Sequence, residues 1–394
     1  MRPNPPSEPD VLAGERERLE ACSREPIRTP GSIQPHGAFL TVEPDGSEIL
    51  QASSSCAEVL GVPAEDLLGR PLTHILSPDA YRRFEALRDG DRAAANPLTV
   101  EVGGRSFDVI VHPVDGAVAV EFEPVPPLGS DPSTAAIYAA IQRLSEASDL
   151  ERLRAETARE LRALTGFDRV MVYEFHPDGH GEVVAEERAD GMEPYIGLHF
   201  PASDIPAQAR QLYLGKLSRV IASTESGTSE LLPELNPRSG QPLDLGLAEL
   251  RSVSRHHLQF MRNMGQGATF SLSLIVAGEL VGMVTCAHRT PKRIGYATRQ
   301  GYEILAGQLS LQLGAMAEIA RLGRRDATRS IRARLIDHVS RTDDILEALT
   351  HGPVTLLDVV AAGGATVCIG GRCASVGDVP VAASRPDFAR RLRA

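Results

Sequence analysis

The chain has 394 residues, of which 42% are hydrophobic and 24% are charged, and its formal net charge is −11. This length exceeds one hydrophobic core and predicts two or three domains, and the acidic balance argues against general nucleic-acid binding. No apolar run approaches the roughly 20 residues of a transmembrane helix. Residues 1–20 lack the apolar core of a secretory signal, so we expect a cytoplasmic protein without a membrane partner.

The five cysteines form no pattern that predicts a disulfide framework or a zinc site. Cys368 and Cys373 stand five apart across two glycines, a spacing typical of a strand turn, and we expect both to be buried structural thiols. Cys22 lies in polar sequence in which no core requires a thiol. Taken alone, it is interpreted as an incidental exposed cysteine.

Residues 1–20 predict a flexible tail, and residues 21–124 alternate short strand-like runs with turns and small helical patches. The last run, 117–123, alternates apolar with polar residues. This predicts a strand with one core face and one polar face, which carries Glu121 and Glu123. Antiparallel strands with small helices in about 100 residues favour an α+β sensor domain of the PAS type.

A proline-rich linker, 124–132, is followed by a helical run over 133–165 and a strand over 168–175. Two further strands flank Gly278 and predict a hairpin. A helix, a central antiparallel sheet and a second helix together describe a GAF-like domain over 133–318.

No proline occurs between Arg293 and His351, and apolar residues recur at helical spacing. This stretch predicts one long helix, with a kink allowed at Gly323. A helix of this kind joins domains or packs against its copy in a dimer. Residues 319–394 are therefore expected to hold the end of this linker helix and a tail too short for a complete sensory domain.

The stretch 200–210 carries two prolines around a short polar loop, and a helical pattern follows at once. Pro201 and Pro206 restrict their own φ and the residue before each of them, while Ser203 and Asp204 are helix-entry residues. The loop is therefore predicted to be stiff and to hold the Asp204 carboxylate and carbonyl in place, as one wall of a binding site.

A second polar segment places Arg251, Ser254 and His257 three residues apart, on one face if this turn is helical. Because arginine pairs bidentately with carboxylates, these residues together with Arg219 and Tyr213 predict a clamp for two carboxylates. A solvated, charged helix face is the alternative interpretation.

Catalytic interpretations of these residues are disfavoured. Ser254, His257 and Asp204 lack the Gly-x-Ser-x-Gly elbow, and the serine and histidine share one predicted helical turn. No P-loop is present, and the histidines show no metal-ligand spacing beyond the adjacent pair 256–257. We therefore predict neither an enzyme nor a metal site.

Three segments, in the order in which they occur along the chain, resemble those of bacteriophytochromes, the biliverdin-binding PAS-GAF-PHY photoreceptors. Cys-Ser-Arg-Glu-Pro-Ile at 22–27 and Pro-Gly-Ser-Ile-Gln-Pro-His-Gly at 30–37 are similar to the start of the family's PAS domain. Residues 200–210 are similar to its Asp-Ile-Pro loop. Arg-Ser-Val-Ser at 251–254 and His-Leu-Gln-Phe-Met-Arg-Asn-Met-Gly at 257–265 are similar to its chromophore-binding segment.

The resemblance implies an α+β fold in which a PAS domain, 21–124, and a GAF bilin-binding domain, 133–318, consist of antiparallel sheets flanked by helices. It implies that a figure-of-eight knot joins the two, with residues near Ile33 passing through a loop built from about 224–252. A long connecting helix and a partial PHY domain follow over 319–394.

The resemblance further implies a biliverdin IXα chromophore, bound covalently as a thioether at Cys22. His257 and the carbonyl of Asp204 would hold the pyrrole nitrogens. Ile205 and Pro206, which follow Asp204 in its loop, would also contact the chromophore. The propionates would contact Tyr213, Arg219, Arg251, Ser254, Thr269 and Ser271. The D-ring, which rotates in light, would be lined by Tyr173, Tyr195, Phe200 and Phe260.

The sequence departs from the family's pattern near the D-ring. The family usually has Cys-His-His after the last GAF strand, with the first histidine donating to the D-ring carbonyl, whereas this chain has Cys286-Ala287-His288. By this resemblance, Ala287 and His288 are the expected chromophore-binding residues at the end of the strand. Unless the strand shifts by one residue and turns His288 inward, that donor is missing. Phe260 stands where the family often has tyrosine, and the chain stops before the PHY tongue. We therefore expect covalent binding of biliverdin with incomplete photoconversion or an unstable photoproduct.

As partners we expect the linear tetrapyrrole, a second copy of the chain through its GAF and linker helices, and an output domain or partner protein outside this chain. Two other interpretations stay open. One is a bilin-binding or fluorescent module that does not switch. The other is a GAF-type regulator of a small ligand such as a cyclic nucleotide, whose phosphate would meet Arg219 or Arg251.

Overall fold

The computed structural model describes residues 25–89, 96–127, 129, 131–360 and 362–380. The predicted tail, 1–20, and Cys22 lie outside them. The chain divides into two compact units, Met1–Leu313 and Gly314–Ala394, with the boundary inside one long helix. Within the described ranges, no helix combines the length and the apolar character that a bilayer crossing requires.

The described elements follow in chain order. The strands of the first unit are β1 (Ser32–Ile33), β2 (Ala38–Val42), β3 (Ile49–Ser53), β4 (Leu98–Val102), β5 (Arg105–Val114), β6 (Ala117–Pro124), β7 (Arg169–Phe175), β8 (Gly181–Arg188), β9 (His199–Phe200), β10 (Ser218–Ile221), β11 (Ser229–Leu232), β12 (Ala268–Val276) and β13 (Glu279–His288). Its helices are α1 (Cys56–Val59), α2 (Ala64–Leu67), α3 (Pro78–Asp89), α4 (Thr134–Ser145), α5 (Leu150–Thr165), α6 (Ala207–Gly215) and α7 (Arg255–Asn263). Helix α8 (Tyr296–Ser340) enters the second unit, which continues with α9 (Ile345–Thr350), α10 (Leu356–Val359), β14 (Gly364–Ile369) and β15 (Arg372–Gly377).

The N-terminal sheet is antiparallel, with the strand order β1-β11-β3-β2-β6-β5-β4. One face packs against α1, α2 and α3 around fully buried aromatic rings, including Phe84, Phe107 and Phe122. The opposite face packs around a second cluster that includes Phe39 and Leu250. The sheet therefore has two apolar faces, and the second is covered by a segment that is distant in sequence.

Strand β1 is enclosed by the segment 224–252. On one side β1 pairs with β11. On the other side Ile33 forms a bridge with Arg251, and the N–H of Ser252 donates to the carbonyl of Ser32 at 3.1 Å. Ile33 is fully buried. The N-terminal segment is thus hydrogen-bonded on both sides by a single later loop, the arrangement that a figure-of-eight connection requires.

The face of β6 that carries Glu121 and Glu123, predicted to be polar, is buried and does not face solvent. Glu121 is fully buried and Glu123 is 7% exposed. The Glu121 carboxylate accepts the backbone N–H groups of Glu249 at 2.9 Å and Leu250 at 2.8 Å. The loop that encloses β1 covers this face, and such a long-range contact leaves no trace in the local alternation of the strand.

Glu123 belongs to a buried charge network with α8. The Arg299 guanidinium donates to both carboxylate oxygens of Glu123, at 3.0 and 2.6 Å, and to Glu249 at 3.2 Å. Lys216 pairs with Glu249 as well. Burial by itself lowers the pKa of Arg299, but the two carboxylates outweigh it and hold that pKa above its usual value. The network ties strand β6 of the N-terminal sheet to the long helix.

His36 lies near this network and should make the fold sensitive to acid. Burial lowers the pKa of His36 to about 4, with Arg293, Arg299 and Arg219 acting in the same direction and Glu123 against it. The same imidazole titrates near 6.5 in the unfolded chain. Between these values the unfolded state binds the proton and the folded state does not, so the stability present above pH 6.5 is lost as the pH falls toward 4.

We expect this loss to approach about 3 kcal/mol. Urea unfolding measured from pH 7 to pH 4 checks it. The variant His36→Gln should flatten that part of the profile, because glutamine does not titrate. A wild-type stability that stays level down to pH 4, or an equal slope in the variant, would contradict the assignment.

The second sheet is also antiparallel, with the strand order β10-β12-β13-β7-β8-β9, and α5 packs against β7 and β8. The predicted hairpin forms between β12 and β13. The single helical run predicted over 133–165 is corrected. It is broken after Ser145, and Asp149 caps α5 by accepting the N–H of Arg152 at 2.9 Å.

In the second unit, β14 and β15 form a hairpin in which Cys368 lies directly opposite Cys373. The two are joined by a disulfide bond, so the prediction of two free buried thiols is wrong. The predicted long helix is confirmed as α8, which continues through Gly323 without a break.

Candidate ligand-binding cleft

A cleft lies beside the second sheet, between the loop 200–206 and helix α7. It consists of two adjoining chambers that share Asp204, Ile205, Tyr213, Arg219, Ile221 and His257. The first is polar and adds Pro206, Arg251 and Ser254. The second is largely aromatic and adds Tyr173, Tyr195, Phe200, Phe260, Thr269 and Ser271. Of the predicted site residues that the structure describes, all line one of the chambers except Ala287 and His288, and Cys22 lies outside the described ranges.

The loop that carries Asp204 contains a single 3-10 turn between β9 and α6. Pro206 is the N-cap residue of α6, so Ser203 and Asp204 do not serve as helix-entry residues as expected. Asp204 instead borders both chambers. Burial raises the pKa of its carboxyl, so a cation placed beside it would favour the ionised form.

Arg210, in the first turn of α6, fixes this loop to the hairpin between β7 and β8. Its guanidinium donates to the carbonyl of Ile205 at 2.9 Å and to that of Gly179, and it lies over the ring of Phe175 at 4.3 Å. The stiffness predicted from the two prolines therefore has a second source, a side chain that the sequence pattern did not single out.

Arg219 and Arg251 give the polar chamber its charge. Arg219 donates to the backbone carbonyls of Glu249, Arg251 and Ser252. Burial and then the neighbouring Arg251 lower the pKa of Arg219 to about 9, so it stays protonated at neutral pH. Burial also lowers the pKa of Arg251, which donates to the carbonyl of Ile27 at 2.8 Å. Two buried guanidinium groups held by carbonyls create a positive potential suited to an anion.

Ser254 is the N-cap of α7, where its hydroxyl accepts the N–H of His257 at 3.3 Å and donates to the carboxylate of Glu25. The helical face predicted for Arg251, Ser254 and His257 is therefore corrected, because Arg251 precedes the helix and bridges to Ile33 instead. The three side chains still converge on the cleft, since the chain turns into the helix at this point.

His257 lies where the two chambers meet. Burial, followed by the charge of Arg219, lowers its pKa, so the imidazole is neutral at neutral pH. A neutral imidazole carries one donor and one acceptor nitrogen. The His257 ring lies 6.2 Å from that of Phe260, at the edge of the aromatic chamber.

Aromatic and thioether side chains form the second chamber. The rings of Tyr173 and Phe200 are 6.1 Å apart, and Arg169 lies over the ring of Tyr195 at 3.7 Å. Burial raises the pKa of Tyr173 to about 12, which keeps its hydroxyl protonated. Residues that sequence reasoning missed complete the wall: Met171, Val183, Met261, Met264, Gln266, Met283 and Thr285.

Strand β13 presents Ala287, and not a histidine, on the chamber side. Met283 and Thr285 line the chamber, and Ala287 follows them on the same face, opposite Thr269 of β12. The register between β12 and β13 is regular over this stretch, so no shift turns the next residue inward. The alternation of the strand was the signal that could have identified Met283 and Thr285 as well.

His288 faces the other side of the sheet. Its Nδ1 lies 3.0 Å from the carboxylate of Asp168, and its ring packs against Phe167 with 5.6 Å between centroids. Burial lowers the pKa of His288, against the effect of Asp168. The prediction of His288 as a chamber residue is wrong, because an odd residue step reverses the direction of a strand side chain.

Two buried polar atoms of cleft residues have no hydrogen-bond partner within the described part of the chain, Nε of Arg251 and Oγ1 of Thr285. A buried polar group left unpaired costs about 1–3 kcal/mol. Both atoms fit a bound ligand that brings an acceptor to each, a carboxylate at Arg251 and a carbonyl at Thr285.

Comparison with known proteins gives three family models that match the chain in succession. They are a PAS fold over residues 22–125, a GAF domain over 149–313 and the phytochrome region over 328–394. The cleft lies within the part matched by the GAF model.

The chain is 34% identical over 367 residues to cyanobacterial phytochrome A of Nostoc sp., covering 91% of this chain and 48% of that protein. It is 35% identical over 381 residues to a bacteriophytochrome of Pseudomonas aeruginosa, covering 95% and 50%. The chain thus spans about half the length of the curated relatives it matches.

Solved structures give the same answer. The chromophore-binding domain of the bacteriophytochrome RpBphP3 from R. palustris is 38% identical, with a TM-score of 0.72, and the match covers 76% of this chain and 99% of that one. The Stigmatella aurantiaca phytochrome photosensory core module is 38% identical, with a TM-score of 0.81 and coverage of 91% and 73%. The chain belongs to the phytochrome family and has the fold of its photosensory core.

Proposed function

We propose that this chain is the light-sensing part of a red/far-red photoreceptor and that it binds biliverdin IXα in the cleft. The observation that carries the proposal is the juxtaposition of two buried guanidinium groups, Arg219 and Arg251, with an aromatic chamber. A linear tetrapyrrole has two carboxylates, which match the guanidinium groups, and a conjugated ring system, which matches the aromatic chamber. When bound, the bilin would supply light absorption and ring isomerisation, and the protein would hold its carboxylates and its conjugated rings in different surroundings.

The polar chamber orients the carboxylates. Arg251 has a free, buried Nε, so a carboxylate there gains a charge-assisted hydrogen bond and removes the cost of an unpaired donor. Tyr213 and Ser254 border the same chamber. Thr269 and Ser271 extend the polar lining into the second chamber.

The junction of the chambers suits a protonated tetrapyrrole. A buried cation requires acceptors around it. The Asp204 carbonyl and the neutral imidazole of His257 meet that need. Because burial and Arg219 lower the pKa of His257, the imidazole does not place a second cation beside the ligand.

We propose Cys22 as the covalent attachment site. Glu25, three residues later, contacts Ser254 of the polar chamber. Because three residues of extended chain can span up to about 11 Å, the position of Glu25 supports the proposal that the thiol of Cys22, three residues earlier, serves this end of the cleft. Its Sγ would add to a vinyl group of the A-ring and the thiol proton would move to the vinyl carbon, so the thioether forms without an oxidant or a leaving group.

The described free cysteines are poor competitors for this role. Cys56 and Cys286 are both buried. Burial raises the pKa of Cys56 to about 11 and raises that of Cys286 further above the usual value. The reactive species is the thiolate, which both sites disfavour.

Cys22→Ser tests binding and attachment separately. The wild-type chain, expressed with a source of biliverdin, should retain the pigment on the denatured polypeptide. In the variant the pigment should bind to the native protein and be released on denaturation, and Cys56→Ser should behave as wild type. A colourless wild type would refute the bilin proposal, and pigment retained by denatured Cys22→Ser would refute the attachment site.

We also propose that photoconversion is incomplete or its photoproduct unstable, because Ala287 offers no donor to the D-ring. Thr285 lies two residues earlier on the same face of the strand, and its buried hydroxyl has no hydrogen-bond partner among the described residues. This hydroxyl is the donor that the strand has in place of a histidine. Ala287→His should restore a donor worth about 1 kcal/mol and slow dark reversion roughly fivefold. His288→Gln, on the opposite face, is the matched control and should leave the rate unchanged. Complete, thermally stable switching of the wild type would contradict the proposal.

We propose a homodimer through α8. Large apolar side chains on this helix are exposed, with Ile304 at 68%, Leu311 at 71% and Ile319 at 70%. Their spacing of seven and eight residues places them along one stripe of a helix. Light-dependent changes in the Asp204 loop would reach an output domain or partner protein through this helix.

A further inference from the structure

Three histidines meet at one edge of the second sheet. His176 and His180 flank the turn between β7 and β8, and His199 lies in β9. Their ligand atoms lie within 4.8 Å of one another. The rings of His176 and His180 stack at 4.3 Å, and the ring of His199 is 5.1 Å from that of His180.

The strand register explains this convergence. The N–H of His176 donates to the carbonyl of His180 at 2.9 Å, so the two residues stand opposite each other. Glu182 pairs in the same way with His199. Because alternate residues of a strand share a face, His180 and Glu182 project to one side. All four side chains therefore belong to one face at the sheet edge.

Two carboxylates orient the imidazoles. Glu182 Oε2 lies 2.9 Å from Nε2 of His176, and Asp178 Oδ1 contacts Nδ1 of His180. Each contact leaves the other ring nitrogen available as a ligand. Carboxylate-supported histidines of this kind are typical of metal centres, where the carboxylate fixes the tautomer and raises the basicity of the ligand.

The charges at this edge favour a cation. Asp178 and Glu182 each carry one negative charge. Glu174, opposite Glu182, is neutralised by Arg154 and adds no net charge. Arg210 opposes the other two carboxylates, and its guanidinium is held by the carbonyls of Gly179 and Ile205 and by the ring of Phe175. Two carboxylates against one guanidinium leave a net negative charge beside three imidazoles.

We propose that His176, His180 and His199 bind a divalent first-row transition metal, with Zn²⁺ as the best-suited ion. Imidazole is a good ligand for zinc, copper and nickel. Two nitrogens on a tetrahedral zinc, each about 2.0–2.1 Å from the metal, lie about 3.3 Å apart, so nitrogens within 4.8 Å reach that geometry by side-chain rotation. The side chains of His176 and His180 are 34% and 30% exposed, which leaves room for a water as fourth ligand.

The metal would sit beside the loop that walls the cleft. Gly179 in the histidine-flanked turn and Ile205 in the loop accept hydrogen bonds from the same side chain, Arg210. His199 directly precedes Phe200, which lines the aromatic chamber. Occupation of the site should therefore stiffen the Asp204 loop. This consequence rests on the proposed function, whereas metal binding itself does not.

Zinc titration of the full, tag-free chain tests the proposal, with isothermal calorimetry on the apoprotein. We expect one saturable equivalent. Replacing each of the three histidines by alanine should weaken binding at least tenfold, and Glu182→Gln about ten- to a hundredfold through loss of ligand orientation. His74 is exposed and distant in sequence from the cluster, so His74→Ala is the matched control and should bind as wild type.

Cobalt provides a second readout, because Co²⁺ held by three imidazoles in a tetrahedral site should give visible bands that the triple His→Ala variant lacks. No saturable zinc binding by the wild type would overturn the proposal, as would equal binding by the triple variant. The test uses the apoprotein, so a failure to take up biliverdin would leave its outcome unaffected. In the bilin-loaded chain, zinc should alter the absorption band only when the three histidines are present.

Discussion

Arg299→Leu is expected to lower the free energy of unfolding of the first unit by about 3–5 kcal/mol. Arg299 forms ion pairs with Glu123 and Glu249. All three side chains are almost fully excluded from water, with exposed fractions of 4% for Arg299, 9% for Glu123 and 8% for Glu249. Removing the guanidinium leaves the buried carboxylate of Glu123 without its ion-pair partner and leaves Glu249 with Lys216 alone. The leucine regains only part of the lost contact area.

Urea unfolding followed by far-ultraviolet circular dichroism measures this effect. Arg82→Leu is the control within the same unit, since Arg82 pairs with Asp79 on the surface and should contribute less than about 1 kcal/mol. The double variant Glu123→Met/Arg299→Met should recover part of the loss, because it removes one charge of each sign. A loss below 1 kcal/mol for Arg299→Leu would show that the network does not hold the two domains together.

Arg251→Leu is expected to weaken biliverdin binding about ten- to a hundredfold. The measurement belongs in the Cys22→Ser background, where binding is reversible and a dissociation constant can be determined by absorbance titration. The loss follows from the charge-assisted hydrogen bonds that a guanidinium forms with a carboxylate, each contributing about 1.5–3 kcal/mol.

Two variants frame this result. Arg255 is exposed in the first turn of α7, where its charge is screened by solvent. Arg255→Leu should therefore change the affinity for biliverdin by less than about twofold. Arg251→Lys should give an intermediate loss, because lysine keeps the charge but not the planar fork. Equal losses for the leucine variants at 251 and 255 would indicate a general field effect instead of a carboxylate contact.

Elements that depend on short-range patterns were predictable from the sequence. The hairpin between β12 and β13 and the long helix α8 follow from strand alternation and from the absence of proline. The break after Ser145 was not predicted, since a four-residue interruption leaves the apolar spacing almost unchanged, although Asp149 carried the cap signal.

Contacts between distant segments account for the larger errors. The burial of Glu121 and Glu123 depends on a loop more than 100 residues later that covers β6. Arg251 stands in the same loop, so its place outside α7 is decided by the bridge to Ile33. No local periodicity contains this information, whereas the resemblance to a knotted family did imply it.

The site residues on the loop 200–206 and on α7 could be predicted from the sequence, because the spacing of the prolines and the density of polar residues indicated them. The opposite orientations of Ala287 and His288 follow from strand alternation once the register is known. The histidine cluster was missed because its third member, His199, comes from a separate strand. The signal that was present is the pair His176 and His180 around a turn, with Glu182 two residues further on.

Light sensing by this chain is best tested by an absorption spectrum of the biliverdin-loaded chain, recorded in the dark and after red light. We predict a red-absorbing dark form and a light-induced, far-red-absorbing fraction that is incomplete or reverts in darkness, because in the proposed binding mode Ala287 would offer the D-ring no donor. A pigmented chain whose spectrum is identical before and after illumination, or a chain that takes up no biliverdin, would contradict the account.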